Sequence, residues 1–137
     1  MIMSESDHKI LSVLCKSYRT RGLGNRAVVT GLTKKLREAS IVSSEEVPAE
    51  VVTINSLIRV TELGSGYKFI CSVVLPWEAN VESRRLSVLS GIGSALLGES
   101  VGQIVMCRGR TRLLLIVIEE LIEQRSTVPP LVSPLPR

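Results

Sequence analysis

A change in hydrophobic period near Pro48 constrains the fold of this chain more than any other feature. Before it, apolar residues recur at spacings of three and four, as at Leu11, Leu14 and Tyr18, which is typical of one face of an α-helix. After it, residues 58–61 alternate between apolar and polar side chains, which predicts a strand with one buried face. The chain therefore combines an N-terminal helical segment with a later sheet.

The N-terminal segment is predicted to form a short helical hairpin. Ser6 or Asp7 is available as the N-cap of the first helix, because a short polar side chain can accept a backbone N–H there. Gly22 and Gly24 interrupt the pattern, and Asn25 is a plausible N-cap for a second helix. The apolar stripe of that second helix comprises Val29, Leu32 and Leu36.

The hairpin carries charge of a single sign. No Asp or Glu occurs between residues 9 and 37, whereas eight basic residues do: Lys9, Lys16, Arg19, Arg21, Arg26, Lys34, Lys35 and Arg37. A solvated helix face is one interpretation of such a segment, but solvated faces usually mix both signs. Single-sign segments usually meet an oppositely charged surface, so we favour a functional role for this one.

The rest of the chain predicts a mostly antiparallel sheet with one short helix, and hence an α+β fold. A turn at residues 64–66 leads into a strand that Pro76 ends. Another strand is expected over residues 85–89, followed by a turn at Gly91 and Gly93 and a helix over residues 94–97. A final hairpin joins residues 103–107 to residues 111–121 across Arg108-Gly109-Arg110.

These elements divide the chain into four predicted regions. They are a basic hairpin (residues 1–42), an acidic linker (43–50), a sheet domain (51–125) and a Pro-rich tail (126–137). At 45% hydrophobic and 22% charged residues, the composition is that of a folded domain and not a disordered chain.

Targeting and redox signals predict a cytoplasmic protein. Residues 4–9 are polar and the apolar positions that follow are interrupted by Lys16 and Arg19, unlike a secretory signal, and the longest apolar run, residues 113–118, is far below the ~20 residues of a membrane span. We interpret that run as a core strand. Cys15, Cys71 and Cys107 lack metal-ligand spacing, and we expect them to be reduced.

Several segments together resemble the C-terminal domain of the GreA/GreB transcript cleavage factors and, within that family, the Rnk-type regulators. The residues that carry the resemblance are Pro48-Ala49-Glu50-Val51-Val52-Thr53, Ile54-Asn55-Ser56, Leu75-Pro76, Ser87-Val88-Leu89, Gly93-Ser94-Ala95-Leu96-Leu97-Gly98 and Val101-Gly102. The chain departs from the family pattern in having Gly91 where Pro is usual and Gln103 where Asp is usual.

The resemblance implies an FKBP-like domain that docks on RNA polymerase beside its secondary channel, with the hairpin as a shortened coiled coil. On this basis the expected polymerase-binding residues are Trp77, Ser90, Gly91, Ile92 and Gly93 in the domain, with Arg19, Arg21 and Arg26 at the hairpin tip. For Trp77, a role as cover for the edge of the core is an equal alternative. No cofactor is expected, and the sequence does not predict the oligomeric state.

The same resemblance, combined with the hairpin's chemistry, predicts a regulator that does not stimulate cleavage. Gre-type cleavage requires acidic residues at the tip to help hold Mg²⁺, which prefers carboxylate oxygens. This tip offers arginines, and a helix of ~13 residues reaches only ~20 Å. We therefore predict a non-enzymatic competitor of longer-armed factors.

Two functions from other classes remain as alternatives. The basic hairpin could bind nucleic acid nonspecifically through its phosphates. FKBP-like domains also include prolyl isomerases, but one Phe, one Trp and two Tyr are too few to line their aromatic pocket.

Three further patterns carry no predicted site. Residues 93–100 have the glycine spacing of a phosphate-binding loop, but Glu99 occupies the lysine position, and we expect Leu96 and Leu97 to be core residues. His8 is the only histidine, so no multi-His metal site or histidine triad forms within one chain. The acids near residue 120 are expected to face solvent at a strand end.

Overall fold

The N-terminal hairpin consists of α1 (Glu5–Arg21) and α2 (Arg26–Glu38) in a computed structural model that describes residues 1–124. Asn25 caps α2 as predicted, because its side chain accepts the N–H of Val28. The expected N-cap of α1 is wrong. Ser4 performs that role by accepting the N–H of Asp7.

Asp7 is instead a buried link between the hairpin and the segment that follows it. Its side chain is 2% exposed, and its Oδ2 accepts the backbone N–H of Ile54 at 3.1 Å. A buried carboxylate is stable only when its oxygens are hydrogen-bonded. Asp7 therefore ties the first turn of α1 to residues 47 positions later in the chain.

Two short strands, β1 (Ile2–Ser4) and β2 (Ser40–Val42), flank the hairpin and pair in parallel. The sequence did not predict them, since three-residue strands carry too little period-two signal. They bring the start of α1 beside the end of α2.

The main sheet has five strands, in the order β5-β4-β3-β7-β6. They are β3 (Leu57–Glu62), β4 (Lys68–Val74), β5 (Arg85–Ser87), β6 (Ile104–Arg108) and β7 (Leu113–Glu123). All neighbours are antiparallel except the parallel pair β4 and β5, so the predicted mostly antiparallel sheet and the α+β class are confirmed.

The short helix α3 (Gly91–Leu96) begins three residues earlier than predicted. Gly91 and Gly93 belong to the helix and not to a turn, because Ser90 caps it by accepting the N–H of Gly93. The preceding strand is correspondingly shorter than expected and ends at Ser87.

One hydrophobic core includes both the hairpin and the sheet. Leu11 and Cys15 of α1 and Leu32 and Leu36 of α2 belong to the same buried cluster as the inner face of the sheet. The hairpin therefore shares a core with the sheet and does not project as a free arm. The domain boundaries at residues 42 and 50 remain a prediction, and the Pro-rich tail lies outside the described residues.

The apolar run at residues 113–118 is buried on one face only. Ile116 and Ile118 are in the core, whereas Leu113 and Leu115 are exposed on the outer face of the sheet. The interpretation of the whole run as a core strand is thus only half correct, because strand side chains alternate between two faces and, within residues 1–124, Leu113 and Leu115 on the outer face are exposed.

Candidate docking surface

A groove of about 790 Å³ lies where the hairpin tip, the start of α3 and the loop between β6 and β7 meet. Its lining residues are Asn25, Val28, Leu86, Leu89, Ser90, Gly91, Ile92, Arg108, Gly109, Arg110, Thr111, Arg112 and Leu113. Three of the predicted docking residues, Ser90, Gly91 and Ile92, are therefore on its wall. We call this feature the arginine groove.

Ser90 fixes the entry into α3 through two hydrogen bonds. Its Oγ donates to the carbonyl oxygen of Ser87 at 2.7 Å and accepts the N–H of Gly93 at 3.0 Å. The second bond satisfies one of the N–H groups that have no partner within a helix. This pair of bonds turns the chain from β5 into α3 at the groove.

Gly91 is required by the approach of the loop that follows β6. A Cβ at this position would lie 2.2 Å from the carbonyl oxygen of Arg108, a distance that no real Cβ contact tolerates. A proline ring at this position would meet the same carbonyl. Gly93 is similarly enclosed, with its Cβ position 2.1 Å from the Ser87 carbonyl oxygen, so it is a packing residue and does not line the groove.

Three arginines of the loop between β6 and β7 form the cationic wall of the arginine groove. Arg108, Arg110 and Arg112 are all exposed, and among the described residues only Arg112 of the three has a carboxylate nearby, with its Nη2 3.9 Å from Glu62 Oε1. The sequence analysis treated this segment only as a hairpin turn. The sequence did contain a signal for this basic surface, since arginine occupies every second position from 108 to 112 and no acid occurs between residues 101 and 118.

The lining of the arginine groove also includes apolar side chains, and none of the described residues in it is acidic. Val28 from α2, Leu89 and Ile92 are among the apolar ones. Arginine is the side chain best suited to bind carboxylate or phosphate groups in a fork, so this arrangement suits an anionic partner that also has apolar groups.

The three arginines predicted at the hairpin tip are exposed but do not line the groove themselves. Arg26 is nearest to it in the chain, between the lining residues Asn25 and Val28, while Arg19 and Arg21 lie in the last turn of α1. Arg26 therefore extends the positive surface beside the groove.

One hairpin base is removed from the basic surface by an ion pair. Lys35 Nζ lies 2.9 Å from Glu99 Oε2 and donates to the carbonyl oxygens of Ser94 and Ala95. Both charged side chains are only 17% exposed. The other seven basic residues of the segment are exposed.

Burial lowers the pKa of Lys35, and the Glu99 carboxylate opposes that shift. The ion pair joins α2 to the end of α3. It gives Glu99 a structural role in residues 93–100, the segment with the glycine spacing of a phosphate-binding loop. Leu96 and Leu97 in that segment are fully buried, which confirms that they are core residues.

Trp77 lies apart from the arginine groove. It is 71% exposed within a one-turn 3₁₀ helix over Pro76–Glu78. A side chain so exposed does not cover the edge of the core, which leaves its role as an interface anchor as a proposal.

The remaining candidates have structural roles. His8 Nε2 donates to the carbonyl oxygen of Leu36 at 2.9 Å and so links the two helices. Cys15, Cys71 and Cys107 are buried free thiols, and burial raises the pKa of each. The three raised values indicate unreactive thiols, since the thiolate is the nucleophile.

Neither a metal cluster nor a membrane span occurs in the part of the chain described, residues 1–124. No group of three or more His, Cys, Asp or Glu side chains is placed to hold a metal ion there. Across the same residues, no helix has the length and apolarity needed to cross a bilayer.

Comparisons with known proteins agree with the geometry. Residues 47–119 match the family described as "Transcription elongation factor, GreA/GreB, C-term". The regulator of nucleoside diphosphate kinase of Escherichia coli K12 is 30% identical over 102 residues, which cover 74% of this chain and 73% of that protein. Transcription elongation factor GreA of Clostridium botulinum Eklund 17B is 31% identical over 74 residues, 54% of this chain and 46% of that factor.

A solved structure extends the likeness to the hairpin. The prokaryotic transcription elongation factor GreA/GreB from Nitrosomonas europaea superposes with a TM-score of 0.72 at 28% identity, covering 88% of this chain and 96% of that one. The resemblance noted in the sequence is thereby confirmed. This chain belongs to the GreA/GreB transcription elongation factor family and is similar along most of its length to the Rnk-type regulator within it.

Proposed function

We propose that this protein regulates transcription elongation by docking on RNA polymerase through the arginine groove. In this proposal it occupies the site of Gre-type factors near the secondary channel and does not stimulate transcript cleavage. The observation that carries the proposal is the convergence of Ser90, Gly91 and Ile92 with three unpaired or weakly paired arginines in one groove. The family supplies the polymerase as partner.

The charge of the hairpin supports action by occupancy. No acid occurs in its sequence between residues 9 and 37, so carboxylates that could share a catalytic Mg²⁺ are missing from the tip. α1 has 17 residues, a length of about 26 Å at 1.5 Å per residue. Part of that length is buried through Leu11 and Cys15 in the core that the hairpin shares with the sheet, which further shortens its reach.

The composition of the groove argues against an isomerase. Every described residue that lines it is non-aromatic, whereas prolyl isomerase sites are lined by aromatic side chains. A proline-peptide isomerisation assay should show no rate enhancement.

A binding experiment with core RNA polymerase tests the docking step. We expect the protein to co-purify with the polymerase at moderate salt, and the variant Arg108→Glu/Arg110→Glu to bind at least about tenfold more weakly because two groove charges are reversed. Arg37→Glu is the matched control, since that exposed arginine lies at the opposite end of α2 from the groove. Equal binding by the groove variant and the control would contradict the assigned surface.

Functional assays test the consequence of docking. Added protein should displace a GreA-type factor from the polymerase and should slow the cleavage of backtracked RNA that this factor stimulates. Efficient cleavage in stalled complexes with this protein alone would refute the occupancy mechanism even if docking were observed.

Nonspecific nucleic-acid binding is the second candidate function, because seven exposed basic residues lie on the hairpin segment. Filter binding with random duplex DNA over a range of salt separates the two. Tight binding near physiological salt that is lost in Arg19→Ala/Arg21→Ala/Arg26→Ala would favour this function, since phosphate contacts dominate such binding.

A further inference from the structure

The two edges of the five-stranded sheet differ in how they are protected. At the β5 edge, Asn80 and Arg85 exchange backbone hydrogen bonds of 2.9 Å in both directions, so the preceding loop covers that strand. At the other edge, β6 pairs with β7 alone among the described strands. An uncovered edge presents backbone groups to which another strand can pair.

The backbone hydrogen bonds of β7 show which N–H and C=O groups of β6 point away from the sheet. The carbonyl oxygen of Leu115 in β7 accepts the N–H of Leu63, so the backbone groups of Leu115 face β3. Its register partner Met106 must then direct its own N–H and C=O away from β7. By the period of two, Ile104 and Arg108 do the same, but the carbonyl oxygen of Arg108 is packed against Gly91 of α3, so the open part of the edge runs from Ile104 to Met106.

The side chains of β6 suit a further strand. Ile104 is 60% and Met106 63% exposed, and they adjoin the exposed Leu113 and Leu115 of β7 on the outer face. The strand contains no proline, lysine or bulge, which are usual devices that keep an edge unpaired, and α3 covers it at the Arg108 end. The apolar strip ends at Arg108.

A second groove runs along the same strand. It has a volume of about 510 Å³ and lies between α2 and β6, with Gly31 and Lys34 on the helix side and residues 104–106 on the strand side. A Cβ on Gly31 would have no atom within 4 Å, so this wall is open.

We propose that the β6 edge binds an extended segment of a partner protein as a sixth strand. The segment carries apolar side chains at alternate positions, against Ile104 and Met106, and an acidic side chain at the end that meets Arg108. Main-chain hydrogen bonds provide the affinity of such strand addition, and the alternate side chains provide its specificity. This inference does not rest on polymerase docking, although Arg108 also lines the arginine groove.

Charge selects this occupant over a second copy of the chain. Two copies pairing through β6 would bring together two α2 helices, each with three exposed basic residues and one exposed acid, and two arginine-bearing loops. Like charges opposed in this way disfavour association. A single acidic strand avoids that opposition, because residues 101–118 contain no acid of their own.

A synthetic peptide, acetyl-Glu-Thr-Val-Thr-Ile-Thr-Glu-amide, tests the proposal on the full chain. Its glutamates at both ends allow either strand direction. We expect the Met106 amide to exchange its hydrogen at least about tenfold more slowly with saturating peptide, as followed by NMR. Unchanged exchange at Met106 would overturn the proposal.

Two N-methylated peptides test whether the backbone is used. In an added strand only alternate amides face β6. One peptide is methylated at its odd-numbered amides and the other at its even-numbered amides, and we expect one of the two to lose binding while the other keeps it. Equal effects of the two peptides would overturn strand addition. Concentration-dependent protection of Met106 without peptide would overturn it in favour of a second copy.

Paired protein variants locate the contact. Met106→Asp should weaken peptide binding about tenfold by placing a charge in the apolar strip. Ile70→Asp is the control, because Ile70 is an exposed apolar residue of β4 on the same face but away from the edge. Both positions are exposed, so both variants should fold, and equal binding by the two would refute the assigned edge.

Discussion

Replacing Lys35 by methionine should destabilise the protein more than any other substitution of a basic hairpin residue. Its ammonium group lies 2.9 Å from Glu99 Oε2 and donates to two carbonyl oxygens near the end of α3, at 2.8 and 3.1 Å. Methionine keeps most of the apolar stem and removes the charge. Glu99, at 17% exposure, is then left without its cation.

The magnitude follows from the burial of the pair. Breaking a fully buried ion pair by removing one partner costs about 3–5 kcal/mol, and a hydrogen bond to a charged group contributes about 1.5–3 kcal/mol. Because both side chains retain some contact with water, we expect Lys35→Met to lower the free energy of unfolding by about 2–4 kcal/mol.

A double-mutant cycle separates the pair from its surroundings. Burial lowers the pKa of Lys35 despite the neighbouring Glu99, so the attraction does not fully recover the cost of removing the charge from water. Lys35→Met/Glu99→Leu should therefore be more stable than Lys35→Met alone, with a coupling energy of about 1–3 kcal/mol.

Urea unfolding followed by circular dichroism provides the measurement, with the midpoint and slope compared across the cycle. Lys34→Met is the matched control, since Lys34 is the exposed neighbour in sequence, and its change should stay within about 0.5 kcal/mol. A Lys35→Met variant as stable as this control, or single changes that simply add in the double variant, would refute the reasoning.

Three further predictions concern stability. Gly93→Ala should cost about 3 kcal/mol or more in thermal unfolding, because its Cβ would lie 2.1 Å from the Ser87 carbonyl oxygen; an unchanged melting temperature would contradict that contact. Burial raises the pKa of Cys71 to about 12 and of Cys107 to about 11 from an ordinary 9.0. The stability that the two protonated thiols contribute is thus fully present below pH 9 and is lost as the pH rises through 11 and 12, at about 1.4 kcal/mol per pH unit for each thiol. When the free energy of unfolding is followed against alkaline pH, replacing Cys71 by serine should make this loss smaller. Asp7→Ala should cost about 1–3 kcal/mol by removing the acceptor of a buried backbone N–H, whereas an exposed acid such as Glu5 should tolerate the same change.

Local signals predicted much of the fold. The Asn25 cap, the interruption at Gly22 and the alternation at residues 58–61 are each properties of a few neighbouring residues, and all three were interpreted correctly. The start of α3 was not, because Ser90, whose side chain accepts the N–H of Gly93, was not recognised as its N-cap. The N-cap of α1 was misplaced by two or three residues, because Ser4 caps the helix and Asp7 instead accepts the N–H of the distant Ile54.

The sequence by itself determined the class of this protein: a basic helical hairpin joined to a mostly antiparallel sheet, with the family motif at residues 87–102. These features depend on the hydrophobic period, the capping residues and the order of charged residues, all of which are properties of residues that are neighbours in the sequence. Only the tertiary structure decided that Arg108 and its loop meet Ser90 in one groove, that Lys35 is withdrawn into an ion pair, and that β6 is an open edge. Those facts depend on which distant segments come into contact, and the pattern of neighbouring residues does not contain that information.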